Sequence, residues 1–191
     1  MGYSLTGWIE VRDDQTAPMG GWKPAVDIDR IFWGDDKNYP IYGFLFGIQN
    51  PSPHSAPVAM GRGLPEDVSP EVESAFAPDR QRAEDEFGGP TWISWGEIVR
   101  LNSDEAPAEL SQILRSVSEG RPIAIPRRSN PSPGWMDSSD AISNWGRLAS
   151  ILWLLADAYG DDDVRMVIWF WWSADTEEVD QAAPDRRVRV H

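Results

Sequence analysis

Cysteine is absent from the 191 residues, which excludes disulfide frameworks, thiol catalysis and zinc sites built on thiolates. The absence fits a reducing cytosol, so a cytoplasmic location is expected. Histidine is nearly absent, with only His54 and His191. A Ser-His-Asp triad or a two-histidine metal site needs imidazoles at fixed positions. His191 is the final residue of the sequence, and His54 sits between prolines, where it reads as a solvated loop residue. No Walker A pattern occurs, and Gly61-Arg62-Gly63 is not a dinucleotide fingerprint. The expectation is a binding protein with no catalytic residues, no metal site and no cofactor.

Basic charge is also scarce. Seventeen Lys and Arg face 31 Asp and Glu, giving a net charge of -14 and a pI near 4.4. Such a balance disfavours direct binding to a nucleic-acid backbone. It suits solubility, a basic protein partner or imitation of nucleic acid. Long apolar runs are missing: "ILWLLADAY" falls well short of the roughly 20 residues of a membrane span, so no membrane association is expected. The opening "MGYSLTGWIEVRDD" lacks a basic segment followed by an apolar one, so no secretory signal is expected. Gly2 and Thr6 match an acylation pattern superficially, but strand-like residues follow.

Several elements are legible. Tyr3, Leu5, Gly7, Ile9 and Val11 alternate with Ser4, Thr6, Trp8, Glu10 and Arg12, the period of a strand. "WKPAVDID" reads as a second strand, with Pro24 at an edge position or a strand start, paired to the first through a longer loop. "NYPIYGFLFG" is either a buried strand or a short helix; Pro40 and Gly47 favour a helix between them, and Gly43 weighs against it. Ser69 and Pro70 start a short helix whose first turn carries Glu71 and Glu73. "TWIS" is extended, and Ser94 with Glu97 forms a capping box. Leu110, Ile113, Leu114 and Val117 mark an amphipathic helix ended by Gly120. The strongest helix starts at Ser138 or Ser139 and stops at Gly160. Ile142, Trp145, Ala149, Leu152, Ala156 and Tyr159 form its buried stripe, and Leu148, Ile151, Trp153, Leu154 and Leu155 widen it.

These elements predict an α+β fold: a single domain over residues 1–175, with a mostly antiparallel sheet covered by helices. Residues 49–90 form a long Pro/Gly-rich loop region containing one short helix, and 176–191 a charged tail with "RRVRV" as a possible edge strand. A homo-oligomer is compatible with the sequence.

Tryptophan is the compositional outlier, with 11 copies. Trp145 and Trp153 are simplest as core. Trp8, Trp92, Trp95 and one row of "VRMVIWFWWSAD" are harder to hide. In that segment Val164, Met166, Ile168, Phe170 and Trp172 form one row, and Arg165, Val167, Trp169 and Trp171 the other. The preceding helix must cover one row. The other faces a second layer or a pocket. Indoles stack on planar rings and arginines supply contacts to anions. Arg62, Trp92, Trp95, Arg127, Arg128, Trp169 and Trp171 are therefore the candidate ligand-binding residues, for a small nucleotide-like molecule. Packing is the simpler role for any one of these indoles. Asp27 and Asp29, two apart, would share a strand face and suit a cation with phosphates, or else run into a helix cap. "DDD" at 161–163 lacks the spacing of a calcium loop and reads as a solvated turn.

"YPIYGFLFGIQN", "GRGLPEDVSPEV", "TWISWGEI" and the aromatic segment after "DDDVRMVIWF" together resemble a family of actinobacterial and actinophage proteins with an Arg-Gly-Leu-Pro-x-Asp-Val-Ser loop motif and no attached activity. Arg62, Gly63, Leu64, Pro65, Asp67, Ser69 and Glu71 carry the motif here. Ser94 and Gly96 depart from the residues more usual in that family. The phage connection implies a counter-defence role, by sequestering a nucleotide-derived signal or blocking an immune protein. Two alternatives stand beside it: an acidic immunity or inhibitor protein that covers a basic partner, and a carboxylate-dependent hydrolase.

Overall fold

The alternation at the start of the chain builds β1 (Gly2–Arg12). It pairs antiparallel with β2 (Trp22–Asp27), and a bulge separates Ile9, opposite Val26, from Glu10, opposite Pro24. The computed structural model describes residues 2–13, 21–31, 39–48, 56–79, 87–123 and 144–173. Among the described residues, five α-helices come after the hairpin in the chain: α1 (Tyr39–Phe46), α2 (Pro70–Phe76), α3 (Trp95–Val99), α4 (Ala108–Ser118) and α5 (Asn144–Tyr159). Two further strands, β3 (Phe87–Ser94) and β4 (Val164–Ser173), complete the sheet. Its order is β2-β1-β4-β3 and every pairing is antiparallel. Pro24, which has no N–H to give a second neighbour, lies on an edge strand as its chemistry requires.

Local signals act as their chemistry dictates. The Ser69 hydroxyl accepts from the Val72 N–H at the start of α2. Ser94 and Glu97 make both bonds of a capping box on α3. The sheet also needs a glycine. Gly7 stands opposite Ile168, and a Cβ there would lie 2.8 Å from the Ile168 Cα and collide with the Val167 carbonyl. Only a residue without a side chain lets β1 and β4 approach so closely.

One face of the sheet carries the main core. Ile9, Val11, Ile93, Val164, Met166, Ile168 and Phe170 meet Ile41, Leu45, Phe46, Leu110, Leu114, Trp145, Leu148 and Leu152. Phe46 closes on Phe170 at 5.8 Å between ring centroids, and Tyr42 on Trp145 at 5.7 Å. Tyr159 departs from the expected stripe and is exposed. Trp145, Leu152 and Tyr159 are spaced by seven, and a straight helix drifts roughly 20° per heptad, so the third has turned away from the sheet. Leu154 is likewise exposed. Ile142, Ser138, Ser139 and the 176–191 tail lie outside the described residues.

The opposite face is half-covered. There α2 lays Val72 and Phe76 on Val167 and Trp169, with Trp8, Leu64, Val68 and Trp92 packed around them. Thus β4 is buried on both faces from Val164 to Phe170. No helix among the described residues is long and apolar enough to cross a membrane.

Candidate functional site

The half of the second face that α2 leaves open is a cleft of about 590 Å³. One wall is the "GRGLPEDVS" loop. Gly61 and Gly63 adopt φ of 63° and 77°, left-handed values that suit glycine, and they turn the chain sharply on each side of Arg62. The Gly63 N–H bonds the Pro90 carbonyl at 3.1 Å, and the Thr91 hydroxyl bonds the Ala59 carbonyl, so the loop is tied along β3. Arg62 then reaches both oxygens of Glu97, at 2.9 and 3.0 Å, and donates to the Val58 carbonyl at 3.0 Å. Its guanidinium lies 5.1 Å from the Trp92 ring centroid. Burial raises the Glu97 carboxyl, but Arg62 and the Ser94 backbone outweigh that and hold it below its ordinary value.

The floor is Arg165 on β4. The strand register places it opposite Glu10 on β1 and Ser94 on β3. Glu10 is 0% exposed and Arg165 3%, and Arg165 Nε donates to Glu10 Oε2 at 2.8 Å. The other Glu10 oxygen accepts from the Ser69 N–H at 2.9 Å, which joins the sheet to the α2 cap. Arg165 also donates to Asp67 Oδ1 at 2.6 Å and to the Asp67 carbonyl at 3.2 Å. The Trp22 indole N–H bonds the second Asp67 oxygen at 2.8 Å. Desolvation raises the Asp67 carboxyl, yet Arg165 and Trp22 bring it below its ordinary value. These bonds offset the cost of taking Glu10 and Arg165 out of water.

The rings and guanidiniums form an alternating column. Arg12 lies 5.4 Å from the Trp22 centroid, Arg165 3.8 Å from Trp22 and 5.9 Å from Trp92, and Arg62 caps Trp92. Each contact places a cation against a ring's negative face. At the rim, the one-turn 3-10 helix Asp161–Asp163 supplies two carboxylates. Asp163 accepts from Arg12 Nε at 2.7 Å, and Asp162 pairs with Arg100. The acidic turn is solvent-exposed, as expected, and its Asp162 also lines the cleft.

Of the residues singled out from sequence, Arg62 and Trp92 line this cleft. Trp95 does not: as the first residue of α3 it is buried in the main core. Trp169 is buried beneath α2, edge-on to Phe76 at 5.4 Å, and donates its N–H to Asp79 at 2.8 Å. Arg127 and Arg128 lie outside the described residues, as does the side chain of Trp171. Trp22, Arg12, Arg100 and Arg165 were not foreseen as cleft residues. The available signal was Arg165, a charge inside an apolar strand.

Asp27 and Asp29 do not share a strand face. Asp27 caps the 3-10 turn Ile28–Arg30 by accepting from the Asp29 N–H, and also pairs with Arg30 at 3.2 Å. The Asp29 carboxyl is pushed up to about 6, first by burial and then by Asp27, while bonds from the Gly7 backbone and the Thr6 side chain pull the other way. No family model, curated protein or solved structure matches this chain.

Proposed function

We propose that the protein is a non-enzymatic binder of a small nucleotide-derived molecule, held in the Trp22–Trp92 cleft. The observation that carries this is the alternating Arg–Trp column along the wall of an open cavity. Bases stack on arginine planes as well as on aromatic rings, and guanidinium edges suit phosphate. A volume of about 590 Å³ is in the range of small-molecule sites. The resemblance to phage proteins adds the biological sense: sequestering a signal needs affinity and no turnover. Isothermal titration of the folded protein with cyclic and ADP-ribose-type nucleotides tests it. Saturable heat that Trp92→Ala abolishes is expected. No heat from any of them overturns it.

A second reading, an acidic inhibitor of a basic protein, is favoured by one surface. Glu66, Asp67, Glu71 and Glu73 are exposed along the loop and the first turn of α2, and residues 63–78 contain no Lys or Arg. Opposed charge of this kind sets association rates. Salt-sensitive co-purification of a basic protein, lost on reversing Glu71 and Glu73, is the result it requires.

A further inference from the structure

The four cleft arginines differ in how firmly each holds its carboxylate. Arg165 and Glu10 are buried, so separating them would strand a charge away from water. Arg62 grips Glu97 through both oxygens and two carbonyls besides. Arg12 is braced against Trp22 as well as Asp163. Arg100 and Asp162 are different: their side chains are 60% and 67% exposed, and they meet through one oxygen. Exposed pairs of this kind are worth little, because water screens them.

The place of that pair is also built. Gly96 lies beneath it: a Cβ there would strike the Asp162 carboxylate and come within 2.7 Å of Arg100 Nη2. The missing side chain lets Asp162 settle over the start of α3, beside Ser94 and Glu97 in the same cleft. Asp162 is carried on a single turn that begins at Gly160, so its carboxylate can withdraw without disturbing a strand.

We infer that Asp162 holds, on Arg100, the position that the ligand's phosphate takes, and that binding exchanges one anion for the other. This rests on the reading of the cleft as a nucleotide-type site and adds how that site is regulated: Asp162 is a specificity-determining competitor that sets a threshold on anion affinity. A phosphate, with more charge and more acceptor oxygens than a carboxylate, wins the exchange. A neutral ligand gains nothing from Arg100. Arg165 stays with Glu10 and Asp67 throughout and holds the Trp22 and Trp92 rings in place.

Titration calorimetry with ADP-ribose, and with adenosine as the phosphate-free control, tests the exchange on the full chain. Asp162→Asn removes the competitor and is expected to tighten ADP-ribose about fivefold, the scale of one exposed ion pair, with adenosine unchanged. Arg100→Gln is expected to weaken ADP-ribose about tenfold or more, again with adenosine unchanged. If the wild type binds ADP-ribose and Asp162→Asn binds it equally or more weakly, the exchange is overturned while the cleft reading stands. If neither protein binds ADP-ribose, the exchange is overturned, and the wider nucleotide panel then decides the cleft reading separately. A melting temperature for each variant within a few degrees of wild type confirms that folding is not the cause.

Discussion

Arg165 and Trp169 stand four residues apart on the same face of β4, and both are buried, at 3% and 1% exposure. The strand solves the two burials in opposite ways. At Trp169 an α-helix is laid on top, Phe76 and Val72 fill the space, and the one polar atom finds Asp79. At Arg165 no helix among the described residues is laid on top, and the charge is surrounded by Glu10, Asp67 and two indole faces. The first solution closes the surface. The second leaves an opening, because ion pairs and stacked rings need only line a wall, whereas packing must fill a volume. The cleft exists where the sheet spends polar groups in place of helix cover.

That contrast can be broken most severely at its polar end. Glu10→Ala leaves Arg165 and the Ser69 N–H without their shared acceptor, and a loss of about 3–5 kcal/mol in chemical denaturation is expected, the cost of stranding a buried charge. The paired replacement Glu10→Leu with Arg165→Met should recover the part due to the stranded charge, while the Ser69 N–H and Asp67 still lack their partners. Recovery of stability without the cleft's ligand binding would separate the two jobs of the pair.

The apolar end should fail more gently. Trp169→Phe keeps an aromatic ring against Phe76 but loses the Asp79 bond and some volume, for about 1–3 kcal/mol. Ligand titration should be unchanged, which sharpens the claim that this indole belongs to the core.

Smaller again is the effect of Asp29, at the margin of the same face. Its carboxyl titrates near 6 when folded and near 3.8 when unfolded. The folded state therefore holds its proton more tightly, and this group's contribution to stability falls as pH rises from about 4 to 6. Asp29→Asn should raise stability at pH 7 by on the order of 1 kcal/mol, allowing for solvent screening, and leave pH 4 almost unchanged. Asp67 and Glu97 carry the opposite sign. Their folded carboxyls lie below the ordinary values, so the stability they add is present above those values and is lost as pH falls through the lower folded ones. Denaturation from pH 7 to 3 should thus show stability rising first and collapsing later.

The local part of this architecture was open to a reader of the sequence. Ser69-Pro70, Ser94 with Glu97, and Pro24 act through neighbours within a few residues, and their chemistry has few alternatives. The antiparallel α+β plan followed from strand alternation at the start and helix period near the end. The cleft was half hidden for a physical reason: its pairs are long-range. Glu10 and Arg165 are 155 residues apart, Trp22 and Asp67 are 45 apart, and only the strand register and the loop path bring them together. Indole count brings Trp92 and Trp95 forward alike, yet Trp92 lines the cleft and Trp95 is core, because a composition does not say which side of a helix start a ring will take. Arg62 was named for its flanking glycines, which do project it, though onto Glu97 rather than freely into solvent.

One consequence of the strand order concerns how the molecule comes into being. The last described strand in the chain, β4, sits between β1 and β3 and, among the described residues, is the one neighbour of β3 in the sheet. While the chain is being synthesised, the β1–β2 hairpin and β3 have no common partner until residue 173 has emerged. The growing polypeptide therefore carries unpaired strand edges from the emergence of β1 until β4 is made, and that closure joins Gly2 to Ser173. Such closures are slow, and they favour an all-or-none final step over gradual assembly. A fragment ending before Val164 would be no smaller version of this protein. It would keep the β1–β2 pairing but neither the four-stranded sheet nor the cleft, and its unpaired edges would invite aggregation.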